Sequence, residues 1–176
     1  PIVAKGDIVD LGQMIAEAGG FVSAPVHATV SGKVVAVEPR LHPNGSKVMS
    51  IVIENDGEDR LHESVHPYDF ASMTNDERIN LIWTAGMVGH GGATFPTSVK
   101  LTPPQGKTIE KLIINGAECE PYLTADDRLM LEKAAQIVDG LHLMMLALDV
   151  KEAVIGVEKN KPDAIALLKE KTAGIE

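Results

Sequence analysis

Cysteine, clustered positive charge and long apolar runs are all scarce in this 176-residue chain. The single cysteine, Cys119, excludes an internal disulfide framework and any four-cysteine zinc or iron–sulfur site, and a reducing cytoplasm is its simplest setting. Sixteen Lys and Arg stand against 25 Asp and Glu, a formal net charge of −9, and no Lys/Arg block offsets that excess locally. A phosphate backbone would meet net repulsion, which excludes nucleic acid as a partner. The longest apolar stretch, residues 141–148, contains His142 and falls far short of the ~20 residues that span a bilayer, so direct membrane insertion is not expected. The chain starts without Met or a signal sequence and stops directly after a helical pattern, as an excised fragment would.

What is present is a globular composition, 44% hydrophobic and 23% charged. A chain of this length buries roughly 70% of its unfolded surface, enough for one good core or two small ones. Residues 1–58 carry short β-branched runs broken by Gly, Pro and Asn, at residues 8–9, 12–15, 21–22, 28–30, 33–37 and 48–54. Short strands with frequent turns predict a small β-barrel or sandwich. Residues 59–73 turn polar, with His62, His66 and Pro67, and read as a linker. From 74 to 176 helical and strand signals alternate. Thr74 with Glu77 forms a capping box, followed by Ile79, Ile82, Trp83 and Met87 on one face, with Gly89 as the stop. Residues 111–115 and 153–157 read as strands. Residues 126–148 read as one long helix with Leu131, Ala134, Ala135, Val138, Leu141 and Met145 on one stripe, and Pro162 opens a last helix. The alternation predicts an α/β layer with a parallel sheet.

Within the first module, Val3 to Gln13 and Ser23 to Val34 repeat a strand, glycine turn, strand logic that resembles the halves of a biotinyl/lipoyl barrel-sandwich domain. A carrier of that family bears its prosthetic group on a hairpin-tip lysine. The expected tip here, residues 16–21 (AEAGGF), has none, so the module reads as structural or docking. His27, beside a proline turn, is assigned no function.

The most informative stretch is Gly89-His90-Gly91-Gly92-Ala93-Thr94-Phe95-Pro96, with Lys100 five residues beyond Phe95. Its glycines fit either a helix C-cap with a flexible turn or a cradle of bare backbone facing an anion or a flat ring. It is neither the dinucleotide fingerprint, since Thr94 stands at the third glycine, nor a Walker loop. Phe95 offers a stacking face for a nicotinamide or flavin, and Lys100 a cation for a phosphate or ring carbonyl. A second constellation, Asn115-Gly116-Ala117-Glu118-Cys119-Glu120, follows a strand, where α/β sheets bind ligands. Asn115 can donate to a ring carbonyl, and Glu118 and Glu120 can accept from ring N–H groups or ribose hydroxyls. Asp126 and Asp127 fit the first turn of the next helix. Cys119, flanked by two glutamates, is a poor nucleophile. No catalytic side chain and no metal ligand set is assigned.

Residues 89–101 together with 114–128 resemble the C subunit of the Rnf electron-transport complex, and more distantly the NADH-oxidising flavoprotein subunit of respiratory complex I. The resemblance implies a Rossmann-like FMN- and NADH-binding layer, cut off at its C-terminal end, behind the lipoyl-like barrel. It implies FMN on Gly89, Gly91, Gly92, Lys100, Asn115 and Glu118, and NADH on Phe95 and Glu120. Departures from the complex I pattern, His90 for Arg, Thr94 for Gly and Ala117 for Asp, favour the Rnf branch. The implied protein is a peripheral, bacterial-type subunit on the cytoplasmic face of the cell membrane. With other subunits of an ion-translocating complex, it moves electrons between NAD(H) and [4Fe-4S] clusters held in a part of the subunit absent here. The isolated fragment is then expected to be inactive. A cobalamin-reductase-like flavoprotein and a non-catalytic docking scaffold are the competing readings.

Overall fold

In the computed structural model, which describes residues 1–90 and 93–174, the chain divides into two units: residues 1–69 with 79–100, and 70–78 with 101–174. The first is built on β1 (Ile8–Val9), β2 (Met14–Ala16), β3 (Val26–His27), β4 (Gly32–Leu41) and β5 (Lys47–Asn55). They form an antiparallel sheet in the order β1-β4-β5 and a separate β2-β3 pair. Period-2 alternation puts Val9, Ile15, Ala28 and Val34 into one small core, against which Val3, Val37, Ile51 and Ile53 pack. The strands expected at 21–22 and 28–30 do not form. Ala28 is instead a buried core residue whose N–H donates to Gln13 O, and the pairing strand lies just before it, at Val26–His27. Expected runs 33–37 and 48–54 are parts of a longer hairpin that reaches Leu41 and Lys47.

The polar stretch after β5 is fastened to this barrel. Buried Ser31 donates through Oγ to Asp56 Oδ1 (2.6 Å), Arg60 Nη1 donates to Asp56 Oδ2 (2.7 Å), and Arg60 Nε donates to Asp10 Oδ1 (3.2 Å). Leu11 and Leu61 add a parallel bridge. The Ser31 hydroxyl, then the Glu58 N–H, with Arg60, hold the Asp56 carboxyl down at about 2, against about 4 for an aspartate in an unfolded chain. A lowered folded-state value stabilises the fold above the unfolded value and loses that contribution as pH falls through the window between the two. Thermal melts from pH 6 to 2 should therefore show stability dropping between about pH 4 and pH 2. Asp56→Asn should flatten this part of the profile, and an unchanged profile would remove Asp56 as its cause.

α1 (Asn75–Thr84) opens on the expected capping box: Thr74 N–H and Oγ1 both donate to Glu77 Oε2 at 2.8 Å, and Glu77 N–H donates back to Thr74 Oγ1. It ends three residues earlier than the sequence suggests, because Gly86, not Gly89, is the stop. Gly86 sits at φ +69 and donates to Trp83 O while Met87 N–H donates to Ile82 O, the paired bonds of a Schellman cap. A short α2 (Thr97–Lys100) completes this unit.

In the second unit β6 (Lys111–Asn115) and β7 (Glu152–Gly156) run parallel in full register, Lys111 opposite Glu152 and Asn115 opposite Gly156. The long helix expected over 126–148 is two: α3 (Ala125–Glu132) and α4 (Ala134–Leu148), broken at Lys133, whose φ −129 and ψ 25 leave the helical region. The break lets Met130 of α3 and Ala134 of α4 share a core with Ala164 and Leu168 of α5 (Pro162–Thr172). The expected stripe forms in part: Ala134, Val138 and Leu141 are buried and Leu131 packs against the core, but Ala135 is exposed, and Met130 and Ala147, outside the stripe, are buried. Pro162 occupies the first turn of α5, as expected. None of the helices among the described residues is long and apolar enough to cross a membrane.

Candidate functional site

The glycine stretch is a closed hairpin rather than a helix cap. Gly89 N–H donates to Phe95 O (2.9 Å), Val88 and Pro96 form an antiparallel bridge, and Thr97 N–H donates to Met87 O (3.0 Å). The Gly89 N–H is therefore committed to the loop itself. What Gly89 contributes is the missing side chain: a Cβ there would lie 2.6 Å from Lys100 Nζ. α2 thus carries the Lys100 ammonium back against bare backbone at the hairpin's start, an arrangement open only to glycine. Thr94 holds φ +45, a conformation that costs a β-branched residue energy, at the position where the complex I pattern has glycine. Phe95 remains 37% exposed. Gly91 and Gly92, the other two cradle positions, lie outside the described residues.

Beside the hairpin, within the same unit, runs a groove of about 620 Å³ with Val22, Pro25 and His27 on one wall and Thr94, Phe95 and Pro96 on the other. His27, left without a role by the sequence, therefore shares a groove with Phe95. Nothing in its local sequence signals this, because the pairing depends on where α1 delivers the hairpin.

In the second unit the acidic loop leaves the carboxyl end of β6. Gly116 extends the ladder by one bond, its N–H donating to Gly156 O at 2.8 Å. A Cβ at Gly116 would stand 3.0 Å from that carbonyl and 3.3 Å from Met130 Sδ. Asn115 Oδ1 accepts from Ala117 N–H (3.1 Å), so its amide nitrogen is the group left to donate outward. Glu118 turns inward. Its side chain is 3% exposed, Oε1 accepts from Asp126 N–H at 2.8 Å, and Oε2 accepts from Asp127 N–H (3.4 Å) and Lys161 Nζ (3.4 Å). The Asp126 amide above all, then the Asp127 amide and Lys161, hold this carboxyl below the usual carboxylate range against the opposing effect of burial. Glu118 thus serves as the cap that the start of α3 otherwise lacks, and Asp126 and Asp127 sit in that helix's first turn as expected. Glu120 and Cys119 are exposed, and Tyr122, at φ +65, is fully so.

The sequence candidates therefore fall into two groups. Gly89, Phe95 and Lys100 are brought together by the hairpin of the first unit, and Asn115, Glu118 and Glu120 by the loop of the second. Glu158 and Lys161, which contact the acidic loop, carry no signal in the sequence. They lie 40 and 43 residues from Glu118 and become its neighbours only through the β6-β7 pairing.

A bare glycine turn backed by a lysine in the first unit, and in the second an acidic loop at the carboxyl end of a parallel strand pair, where α/β proteins bind ligands, are the candidate sites of this α/β chain. The chain belongs to the Nuo51 FMN-binding domain family, whose model matches residues 82–176, and residues 1–58 match the RnfC barrel sandwich hybrid domain. The latter agrees with the barrel-sandwich character read from the sequence. Among curated proteins the chain is 54% identical, over 96% of its length, to the C subunit of the Na(+)-translocating ferredoxin:NAD(+) oxidoreductase complex of Acetobacterium woodii. It is 46% identical over 99% of its length to the proton-translocating counterpart of Clostridium ljungdahlii. It is also 46% identical, over 94%, to the C subunit of the ion-translocating oxidoreductase complex of Rhodobacter capsulatus. The resemblance to Rnf C subunits is thus borne out, and the chain spans 38%, 38% and 32% of the lengths of these three relatives.

Proposed function

We propose that this chain is the front portion of an Rnf-type C subunit, a peripheral oxidoreductase subunit that binds FMN and NADH and passes electrons between NAD(H) and iron–sulfur clusters. The Rossmann-like character of its α/β layer, a module boundary near residue 58, [4Fe-4S] clusters carried elsewhere in the subunit, and a place on the cytoplasmic face of the membrane beside the other members of the complex belong to the same reading. The observation that carries it is the Lys100 ammonium held against the side-chain-free backbone of Gly89. A flat, phosphorylated ring system needs both features, a surface without side chains to lie on and a cation for its phosphate or carbonyl oxygens. The residues present fit FMN in this respect.

FMN, when bound, supplies the hydride acceptor and divides the pair into single electrons. The chain's own residues bind and orient. Lys100 offers positive charge beside Gly89; Asn115 donates from its amide nitrogen; and Glu118 acts by capping α3, which fixes the loop that carries Glu120. Gly91 and Gly92 keep the role in holding FMN that the sequence resemblance implies. Phe95 offers an apolar face for the NADH nucleotide, and Glu120 an acceptor for its hydroxyls. No side chain needs to move a proton at the reacting carbon, because hydride transfer requires only stacked rings in contact.

Titrating FMN into the full-length subunit and into residues 1–176 alone, with flavin fluorescence as the readout, tests the proposal. The full-length protein should quench flavin tightly and the fragment weakly or not at all. Failure of the full-length subunit to bind FMN would overturn the reading, and tight binding by the fragment would show that the rest of the subunit is dispensable for the site.

A further inference from the structure

Parallel neighbours send their carboxyl ends out on the same side of a sheet, so the segments after β6 and β7 start side by side. The β7 side sends two charged groups into the acidic loop. Glu158 Oε2 accepts from the Glu118 N–H at 3.3 Å, and its Oε1 lies 4.0 Å from Cys119 Sγ. Lys161, whose side chain is 14% exposed, places Nζ 3.4 Å from Glu118 Oε2 and 3.9 Å from Asp127 Oδ2. Glu118 is thereby gripped at both ends, its amide by Glu158 and its carboxylate by the start of α3 and Lys161.

Resting on the reading above that residues 115–120 serve FMN and NADH, we propose that Glu158 and Lys161 are positioning residues that set where Asn115 and Glu120 stand. Charge makes the case for Lys161. Glu118 is buried next to the Asp127 carboxylate, and Glu158 binds its backbone; Lys161 is the one cation among the described residues that contacts this group. A carboxylate so enclosed is tolerable only with a counter-charge and satisfied lone pairs. Without Lys161 the least disruptive relief is for the loop to swing Glu118 toward water, which carries Asn115 and Glu120 with it. The core of Met130, Ala134, Ala164 and Leu168 contains none of these groups and stays in place. Geometry makes the case for Glu158: it accepts from the Glu118 N–H, tying the loop to the β7 side between Asn115 and Glu120. Neither residue touches a cofactor in this assignment; each acts through Glu118.

The test uses the full-length subunit, with FMN affinity read from fluorescence quenching and NADH oxidation followed with ferricyanide as acceptor. Lys161→Met should weaken FMN binding and raise the KM for NADH by about tenfold each, the scale expected when a ligand-facing loop shifts by less than an ångström or so. kcat at saturating FMN and NADH should change far less, and Lys161→Arg should restore both affinities. Glu158→Ala should act in the same direction and Glu158→Gln, which keeps an acceptor for the Glu118 N–H, should rescue it. This second pair decides the matter if Lys161→Met does not fold. Unchanged FMN affinity and KM in folded Lys161→Met and Glu158→Ala, or a lowered melting temperature as their only effect, would overturn the positioning role. Absence of FMN binding by the unsubstituted protein would overturn the underlying reading with it.

Discussion

Gly32→Ala should abolish the cooperative folding of the barrel. Gly32 opens β4 opposite Asn55 with φ +151, and a Cβ built there would lie 2.0 Å from Glu54 O and 2.9 Å from Glu54 C. Both obstacles are backbone atoms of the partner strand, so relief requires pulling β4 and β5 apart at the point where β4 also pairs with β1 through Val9. Next to it lie fully buried Val9 and Ser31, and Ser31 holds Asp56. Splitting the sheet there exposes the core and breaks that hydrogen bond together. A clash of this kind added to an unfavourable φ costs about 3–5 kcal/mol, comparable to the whole stability of a domain this small. Far-UV circular dichroism under heating should show either no cooperative transition for the barrel or a midpoint lowered by more than about 12 °C. Gly45→Ala is the control. It has φ +85 but nothing within 4 Å of the added methyl, so it should cost only about 1 kcal/mol of backbone strain. Equal melting temperatures for Gly32→Ala and Gly45→Ala would refute the role assigned to the strand contact.

Gly89→Val in the full-length subunit should lose flavin with the fold intact. Here the first obstacle is the end of a flexible side chain, Lys100 Nζ at 2.6 Å, and the nearest backbone atom, Phe95 O, is at an ordinary 3.7 Å. The lysine can swing away at little conformational cost, which keeps the hairpin but removes the cation from the bare surface and covers that surface with methyl groups. FMN affinity should fall at least tenfold, about 1.4 kcal/mol or more, with melting temperature within a few degrees of the unsubstituted protein. Retained flavin would mean that Gly89 serves only the turn, and the proposal that this hairpin receives FMN would fail. The pair of glycines illustrates one rule: what a glycine does is decided by the atom its missing side chain makes room for.

Where the signals are local, the sequence makes the structure legible. The Thr74–Glu77 capping box, the 111–115 strand and the Pro162 helix start depend on residues within a few positions of one another, and each forms as the sequence indicates. The barrel-sandwich character and the Rnf resemblance also come from short motifs. Structure and expectation part where two local signals compete or where none exists. Gly86 and Gly89 both offer a stop to α1, and Gly86 prevails because its positive φ completes the paired cap bonds on Trp83 and Ile82. No glycine or proline marks the break at Lys133; it serves the joint packing of Met130 and Ala134 against α5.

The sequence by itself determined which residue types stand at the glycine hairpin and the acidic loop, since backbone bareness, charge and donor capacity are properties of the residues alone. Only the tertiary structure decided what each is spent on. It committed the Gly89 N–H to Phe95 and turned Glu118 inward as a helix cap. It also brought Glu158 and Lys161 to the loop across some forty residues. Hydrogen bonds and ion pairs are decided by proximity in space, and that proximity is created by strand pairing and helix packing, which no short stretch of sequence encodes.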